Sequence, residues 1–118
     1  MASRLDPVIH QATRLEMLAL LYRNRQASFT DLRDRLQLTP GNLASHASKL
    51  EEAGYVKIGR VLVDLTFEVH YRITDEGVAA FRAYLGTLQE LLREAEAPAP
   101  APQPERPPER PPERPPER

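Results

Sequence analysis

Residues 39–56 read TPGNLASHASKLEEAGYV, and this stretch decides how the chain folds. Thr39 can cap a helix by accepting a hydrogen bond from a backbone amide, and Pro40 suits the first helical position. Gly54 stands where helices commonly end in a left-handed turn. The pattern therefore predicts a helix over residues 40–53, held at both ends by local chemistry.

The two faces of this helix differ in chemistry. One face is apolar and fits a core: Leu43, Ala47 and Leu50. The opposite face is polar, with His46 at its margin: Asn42, Ser45, Lys49 and Glu52. A shorter helix is predicted before it at about 31–37, capped by Thr30, with Leu32 and Leu36 pointing inward. Two short helices joined by a connector at 38–41 are typical of a helix-turn-helix.

Towards the N-terminus, the pattern predicts a longer helix over about 7–24. Asp6 and Pro7 form one start signal, and Thr13 with Glu16 forms a capping box. The sequence leaves open a break near Gln11. Residues 27–29 form a short link to the next helix.

Beyond Gly54 the periodicity changes to that of strands. Residues 55–58 and 69–73 alternate and are rich in β-branched and aromatic side chains, so they predict a β-hairpin with its bend within 61–67. Thr74 and Asp75 then start a last helix. Its apolar stripe has a spacing that suits packing on its own domain or a seam between two chains: Val78, Phe81, Leu85, Leu88 and Leu92.

Composition limits the classes of protein to consider. The 118 residues include no cysteine, which excludes disulfides and thiolate metal sites. No apolar run approaches the ~18 residues of a membrane span, and the N-terminus lacks a signal-peptide pattern, so we expect a cytoplasmic protein. The formal net charge is −1, although residues 23–72 contain eight Lys or Arg against six Asp or Glu. The middle of the chain is mildly basic, which permits a nucleic-acid interface.

The last residues have a different composition from the rest. Ten of the 12 prolines follow Glu96, in PAPAPAPQ and repeated PPER. Proline at this density cannot form a helix or a central strand, so we predict one domain over 1–97 and an extended, disordered tail over 98–118. The tail is interpreted as a solubilising extension, with a ligand for a proline-recognising groove as the alternative.

The order helix, strand, helix-turn-helix, hairpin, helix is that of a winged helix, in the mainly α, α+β class. Residues 41–56, with Tyr71-Arg-Ile-Thr-Asp-Glu-Gly downstream, resemble the small winged-helix transcriptional regulators related to the MarR and ArsR families. The resemblance covers roughly residues 5–92. It implies a homodimeric, repressor-like protein that binds double-stranded DNA.

The resemblance also implies roles for particular residues. Helix 40–53 would enter the major groove, and the hairpin would form a wing beside it. The implied DNA contacts are Thr39, Gly41, Asn42, Ser45, His46, Lys49 and Arg60. The implied dimerisation residues lie near the N-terminus and on the last helix: Val8, Ile9, Phe81, Leu85, Leu88 and Leu92. A histidine at the edge of the core remains an equal alternative for His46.

The wing departs from the pattern of these regulators. They usually have a glycine-arginine pair where this chain has Asp64-Leu65, and Glu68 stands where a basic residue is common. Fewer cations should weaken DNA binding at every sequence. Alternate residues over 61–69 are apolar, so we interpret the wing either as a long hairpin packed on its own domain or as an exposed ribbon that docks a partner through Leu65 and Phe67.

No motif for catalysis is present, and the three histidines have no metal-binding spacing, so we expect no enzyme activity, no cofactor and no metal site. The sequence predicts a DNA-binding transcriptional regulator. The alternative is a winged-helix adaptor that binds protein through its wing and no longer binds DNA.

Overall fold

The computed structural model describes residues 4–99. Within this range, four helices surround one side of a three-stranded antiparallel sheet. The elements in chain order are α1 (Ala12–Asn24), β1 (Gln26–Ser28), α2 (Phe29–Leu36), α3 (Pro40–Glu52), β2 (Val56–Val63), β3 (Thr66–Ile73) and α4 (Asp75–Glu96). The strand order is β1-β3-β2, so the second strand of the hairpin is central. The predicted α+β winged helix-turn-helix fold is confirmed.

Helix α1 begins later than the sequence pattern predicts. Gln11 has an extended backbone, and its side chain accepts a hydrogen bond from the Arg14 amide, so Gln11 is the cap of the helix. Thr13 is already helical, and the predicted Thr13–Glu16 capping box is therefore wrong. Asp6 does start a turn, because its carbonyl accepts from the amides of Ile9 and His10. That turn is separate from α1, so the helical segment predicted over 7–24 is interrupted at Gln11.

Helix α2 also begins at a different cap. Ser28 accepts a hydrogen bond from the Asp31 amide at 3.0 Å, which makes Ser28 the cap and places Thr30 inside the helix. The prediction that Thr30 caps α2 is wrong. Ser28 and Thr30 both have a hydroxyl that can accept a hydrogen bond from a helix amide. Ser28 stands at the helix start because it is the last residue of β1, which pairs with β3. Leu32 is buried and Leu36 is half-buried against the core, as predicted.

Helix α3 matches its prediction at both ends. Thr39 caps it through the Asn42 amide at 3.1 Å, Pro40 is at its start, and Gly54 follows with φ of +82°. Apolar side chains from all the helices and strands meet in one core beneath it. The buried members are Ile9, Met17, Leu18, Leu21, Ala27, Leu32, Leu43, Ala47, Leu50, Val56, Tyr71, Ile73, Phe81 and Tyr84.

The end of α3 and the start of α4 are joined by two hydrogen bonds from Thr74. The Thr74 hydroxyl donates to the Gly54 carbonyl at 2.6 Å, and the Thr74 amide donates to the Tyr55 carbonyl at 3.0 Å. Gly77 lies so close to that same carbonyl that a Cβ would overlap it. Thr74 also caps α4 through the Gly77 amide, as predicted. This junction therefore requires glycine at 77.

Helix α4 has two parts with different surroundings. Phe81 is buried against Tyr22 of α1 and Tyr84 against His10 just before α1, whereas Leu85 and Leu92 on the later turns are exposed. None of the helices in the described range is long and apolar enough to cross a membrane. Most of the predicted tail over 98–118 lies outside the described residues, which end at 99.

Candidate nucleic-acid interface

The outer face of α3 is a polar surface on a firmly packed helix. Asn42, Ser45 and Lys49 are exposed, while Leu43 and Leu50 on the opposite side are fully buried. Since the buried leucines fix the rotation of the helix, the polar side chains have a defined direction. The chemistry of this face, with amide, hydroxyl and ammonium groups, is the chemistry that contacts base edges and phosphates.

The first turn of α3 leaves one backbone donor available. Pro40 has no N–H, and Thr39 already accepts from the Asn42 amide. The Gly41 amide has no acceptor among residues 4–99, and Gly41 has open space where a side chain would be. A free amide at the positive end of a helix dipole favours an anion such as a phosphate.

His46 lies at the inner margin of this face and contacts α1. Arg14 Nη1 donates to His46 Nδ1 at 3.1 Å, across 32 residues of sequence. Burial lowers the pKa of His46, and the positive charges of Arg14 and Lys49 lower it further. The imidazole is therefore held in its neutral form near pH 7. Sequence reasoning placed His46 at this margin but had no signal for its partner Arg14.

A short network holds Arg14 in place. Its Nε donates to the Val8 carbonyl, and the Val8 amide donates to Asp6 Oδ1 at 2.9 Å. The Tyr55 hydroxyl donates to the other carboxylate oxygen of Asp6, and this bond is the first cause that raises the pKa of Tyr55 to about 12. The turn before α1 is thus joined to Tyr55, three residues after α3, and to Arg14, which contacts His46.

The wing, defined as strands β2 and β3 with their turn, is longer than the predicted hairpin. Val63 pairs with Thr66, so only Asp64 and Leu65 form the turn, with φ of 48° and 66°. Positive φ at both positions is the type I′ geometry, which favours Asn-Gly or Asp-Gly. Leu65 occupies the position where glycine is preferred, so its backbone is strained.

The alternation predicted over 61–69 does not form a single apolar face. Residues directly opposite in a hairpin share a face, and Leu62 pairs with Phe67 while Val61 pairs with Glu68. The two-residue turn therefore places Val61 and Val63 on one face and Phe67 and Val69 on the other. The prediction is wrong because it ran the period of one strand through the turn.

The wing tip, residues 62–67, has apolar side chains that cover nothing in the described chain. Leu62 is 57% exposed, Leu65 94% and Phe67 66%. The long hairpin is present, but its tip does not pack on its own domain. Glu68 lies 3.3 Å from His70 Nε2, and Arg60 is exposed beside Val69. All the other predicted DNA contacts lie on α3 or at its cap Thr39, so Arg60 is the only one of them on the wing.

The outer face of the sheet has cations that sequence reasoning missed. Lys57 and Arg72 are direct cross-strand neighbours, although like charges in this arrangement repel. Neither has an ion-pair partner within residues 4–99, and the nearby His70 Nδ1 is buried without a hydrogen bond. The sequence alone does not give the register of β2 against β3, and Lys57 and Arg72 are neighbours only in that register.

The predicted dimerisation residues separate into two sets. Ile9 and Phe81 are buried in the core of the protomer, and Val8 and Leu88 are half-buried against it. Only Leu85 and Leu92 among them are exposed. Of the six predicted dimerisation residues, only Leu85 and Leu92 therefore have a surface on which a second chain could pack.

Comparison with known proteins places these features in context. A family model described as a winged helix DNA-binding domain matches residues 13–92. An uncharacterized protein of Methanocaldococcus jannaschii is 33% identical over 89 residues, which cover 75% of this chain and 97% of that protein.

Two solved structures are similar in fold and sequence. A transcriptional regulator homologue from Pyrococcus horikoshii superposes with a TM-score of 0.72 at 31% identity, over 76% of this chain and 89% of that one. An antimony-specific transcriptional repressor superposes with a TM-score of 0.55 at 28% identity, over 75% of this chain and 74% of that one.

Proposed function

The chain belongs to the winged helix DNA-binding family and is a DNA-binding transcriptional regulator, and we propose that it acts as a homodimer in which α3 enters the major groove. Two copies of α3 would then read half-sites about 34 Å apart, one turn of DNA. The observation that supports this most is the outer face of α3, where Asn42, Ser45 and Lys49 project from a helix fixed by buried leucines.

The direct test is selection from a pool of random duplex DNA, followed by titration of the selected duplex at ~50 mM and ~200 mM salt. We expect retention of a palindromic sequence and affinity that falls with salt. A protein that retains no duplex at ~50 mM salt would contradict the proposal. The salt slope counts the phosphate contacts, and we expect a small count because the wing tip has no Lys or Arg.

The dimer has its own test, which does not depend on DNA. Leu85→Glu with Leu92→Glu places two charges on the exposed distal half of α4. We expect light scattering after size exclusion to give the mass of two chains for the wild type and of one chain for this variant. Leu65→Glu is the matched control, since it charges an exposed leucine elsewhere and should leave the dimer intact. A monomeric wild type at all concentrations would exclude the homodimer.

A protein-binding adaptor is the second candidate, and the wing tip favours it. Leu65 and Phe67 are exposed, and two carboxylates, Asp64 and Glu68, lie where the resemblance implies a glycine and a basic residue. Exposed apolar patches of this kind are typical of interaction sites. Leu65→Ser with Phe67→Ser should abolish retention of a protein partner and leave DNA affinity unchanged, with Leu92→Ser as the control. Loss of DNA affinity in the wing variant would assign the tip to DNA instead.

A further inference from the structure

We propose that Arg14 fixes His46 as a hydrogen-bond donor towards DNA, with the proton on Nε2, and that His46 thereby selects a base presenting an acceptor in the major groove, guanine first. This inference rests on the proposed function for its DNA half. Its first half, the state of the imidazole, concerns the free protein and is tested without DNA.

The chemistry of the contact determines the tautomer. A guanidinium has only donors, so the His46 Nδ1 that lies 3.1 Å from Arg14 Nη1 must be the unprotonated, accepting nitrogen. A neutral imidazole keeps its one proton on the other nitrogen. His46 therefore has an N–H at Nε2, the ring atom that Arg14 does not occupy.

The surroundings of His46 keep the ring neutral and oriented. Arg14 from α1 and Lys49 from α3 are the charges that act on it, and both disfavour a second proton. Glu52 lines the same shallow groove as Arg14 and Lys49. Arg14 is in turn fixed by the Val8 carbonyl. Arg14 is thus a positioning residue, which acts on DNA through His46.

The position of His46 suits contact with a base. Asn42, His46 and Lys49 follow one another at helical spacing, so His46 lies on the core-side edge of the polar face, one turn from each of these exposed side chains. A single donor in the major groove pairs with guanine O6 or N7, with adenine N7 or with thymine O4, whereas cytosine presents a donor there. A phosphate oxygen is also an acceptor, and the DNA experiment below separates the two.

The tautomer is measured by ¹⁵N NMR of the imidazole in the free, full-length protein at pH 7.5. We expect His46 Nδ1 to resonate as an unprotonated nitrogen and Nε2 as a protonated one. Arg14→Gln should shift both resonances towards the average of two tautomers and raise the pKa of His46. Arg23→Gln, an exposed arginine of α1 far from His46 in the fold, is the control and should change neither. A protonated Nδ1 in the wild type, or unchanged resonances in Arg14→Gln, would overturn the inference.

Arg14→Gln also loses its bond to Val8, so its stability is checked by thermal melting. Arg14→Lys provides a second variant, since its ammonium keeps the positive charge and, like a guanidinium, has only donors. It should keep the fold and preserve the Nε2-protonated tautomer more fully than Arg14→Gln does.

The DNA half is measured with the selected duplex and every single-base variant of one half-site. We expect one position at which wild type prefers guanine over cytosine by about 10-fold or more. Arg14→Gln should reduce the preference at that position alone. A uniform loss at all positions would assign the donor to a phosphate and overturn base selection. If the wild type binds no DNA, the proposed function and the reading role both fail, whereas the NMR result still decides the tautomer.

Discussion

Helix α3 and the wing lie next to each other in sequence, and their side chains are arranged in opposite ways. In α3 the apolar residues are buried and the polar ones face outward. At the wing tip the apolar residues face outward, and the charged side chains nearest to them in the hairpin are Asp64, Glu68 and Arg60. The backbone of a winged helix is therefore complete, and the cations of the wing lie below its tip, at Lys57, Arg60 and Arg72. A winged-helix backbone does not by itself supply a phosphate-binding wing tip.

The largest effect should come from removing the polar face of α3. The triple variant Asn42→Ala, Ser45→Ala and Lys49→Ala should weaken binding to the selected duplex by about 100-fold or more, since each contact to a base or phosphate contributes about 1–3 kcal/mol. Fluorescence anisotropy measures the Kd, and a thermal melt confirms the fold. A loss of affinity under about threefold would show that α3 is not the main contact with DNA.

A matched pair of leucines tests the packing of the two elements. Leu43→Ala in α3 removes a side chain with 0% exposure and should lower the free energy of unfolding by about 3 kcal/mol. Leu65→Ala at the wing tip should change it by less than about 0.5 kcal/mol. Urea denaturation gives both values. A large loss for Leu65→Ala would mean that the wing tip is covered in solution, for example by a second chain.

The turn of the wing should be relieved by glycine. Leu65→Gly removes a strained left-handed leucine, worth about 1–2 kcal/mol, against the entropy cost of glycine of about 0.5–1 kcal/mol. The expected net gain is about 0.5–1 kcal/mol in urea denaturation. Gly59→Ala, in the middle of β2 with open space around it, is a useful reference for an ordinary strand glycine. A loss of stability in Leu65→Gly would show that the leucine side chain has a packing role.

Neutralising the wing carboxylates should give a smaller effect on DNA. Asp64→Asn with Glu68→Gln removes two negative charges from a surface beside α3, and exposed charges contribute about 0.2–1 kcal/mol each. We expect DNA binding to tighten by about threefold at low salt, with less gain at high salt. Unchanged affinity at ~50 mM salt would place the tip away from the phosphate backbone.

The smallest expected effect is the pH dependence of stability that comes from His46 in α3. The pKa of His46 is lowered on folding, so below pH 6.5 the unfolded chain binds more protons than the folded one. Stability should therefore fall as the pH drops from about 7 through the lowered pKa. His46→Gln should make this part of the curve flatter in urea titrations at several pH values. An identical slope in the variant would exclude His46 as the cause.

Residues with local signals were predictable from sequence. Thr39, Pro40 and Gly54 all act within one turn of a helix end, so α3 follows from its own residues. Gln11 and Ser28 were missed as caps because several neighbouring side chains could perform the same task, and tertiary structure chooses among them. The faces of the wing were missed because Asp64-Leu65 contains no glycine to mark a two-residue turn.

The contacts of the candidate site were less predictable than its residues. The polar face of α3 can be identified from helical spacing, but the Arg14–His46 bond joins residues 32 apart. Nothing in the local sequence of α1 distinguishes Arg14 from Arg23, the other arginine of this helix. Likewise, Lys57 and Arg72 become neighbours only through strand register.

The end of α3 and the start of α4 meet at one junction, which is formed by Gly54, Tyr55, Thr74 and Gly77. Two hydrogen bonds and a close glycine contact join the end of α3 to the start of α4. Helix α4 has 22 residues and is about 33 Å long, so a tilt of about 5° at this joint moves its far end by about 3 Å. Conversely, a displacement at the far end of α4 acts on the end of α3 through these contacts. The joint depends on one backbone bond, the Thr74 hydroxyl and the missing side chain of Gly77, so substitutions along the outer turns of α4 leave it intact.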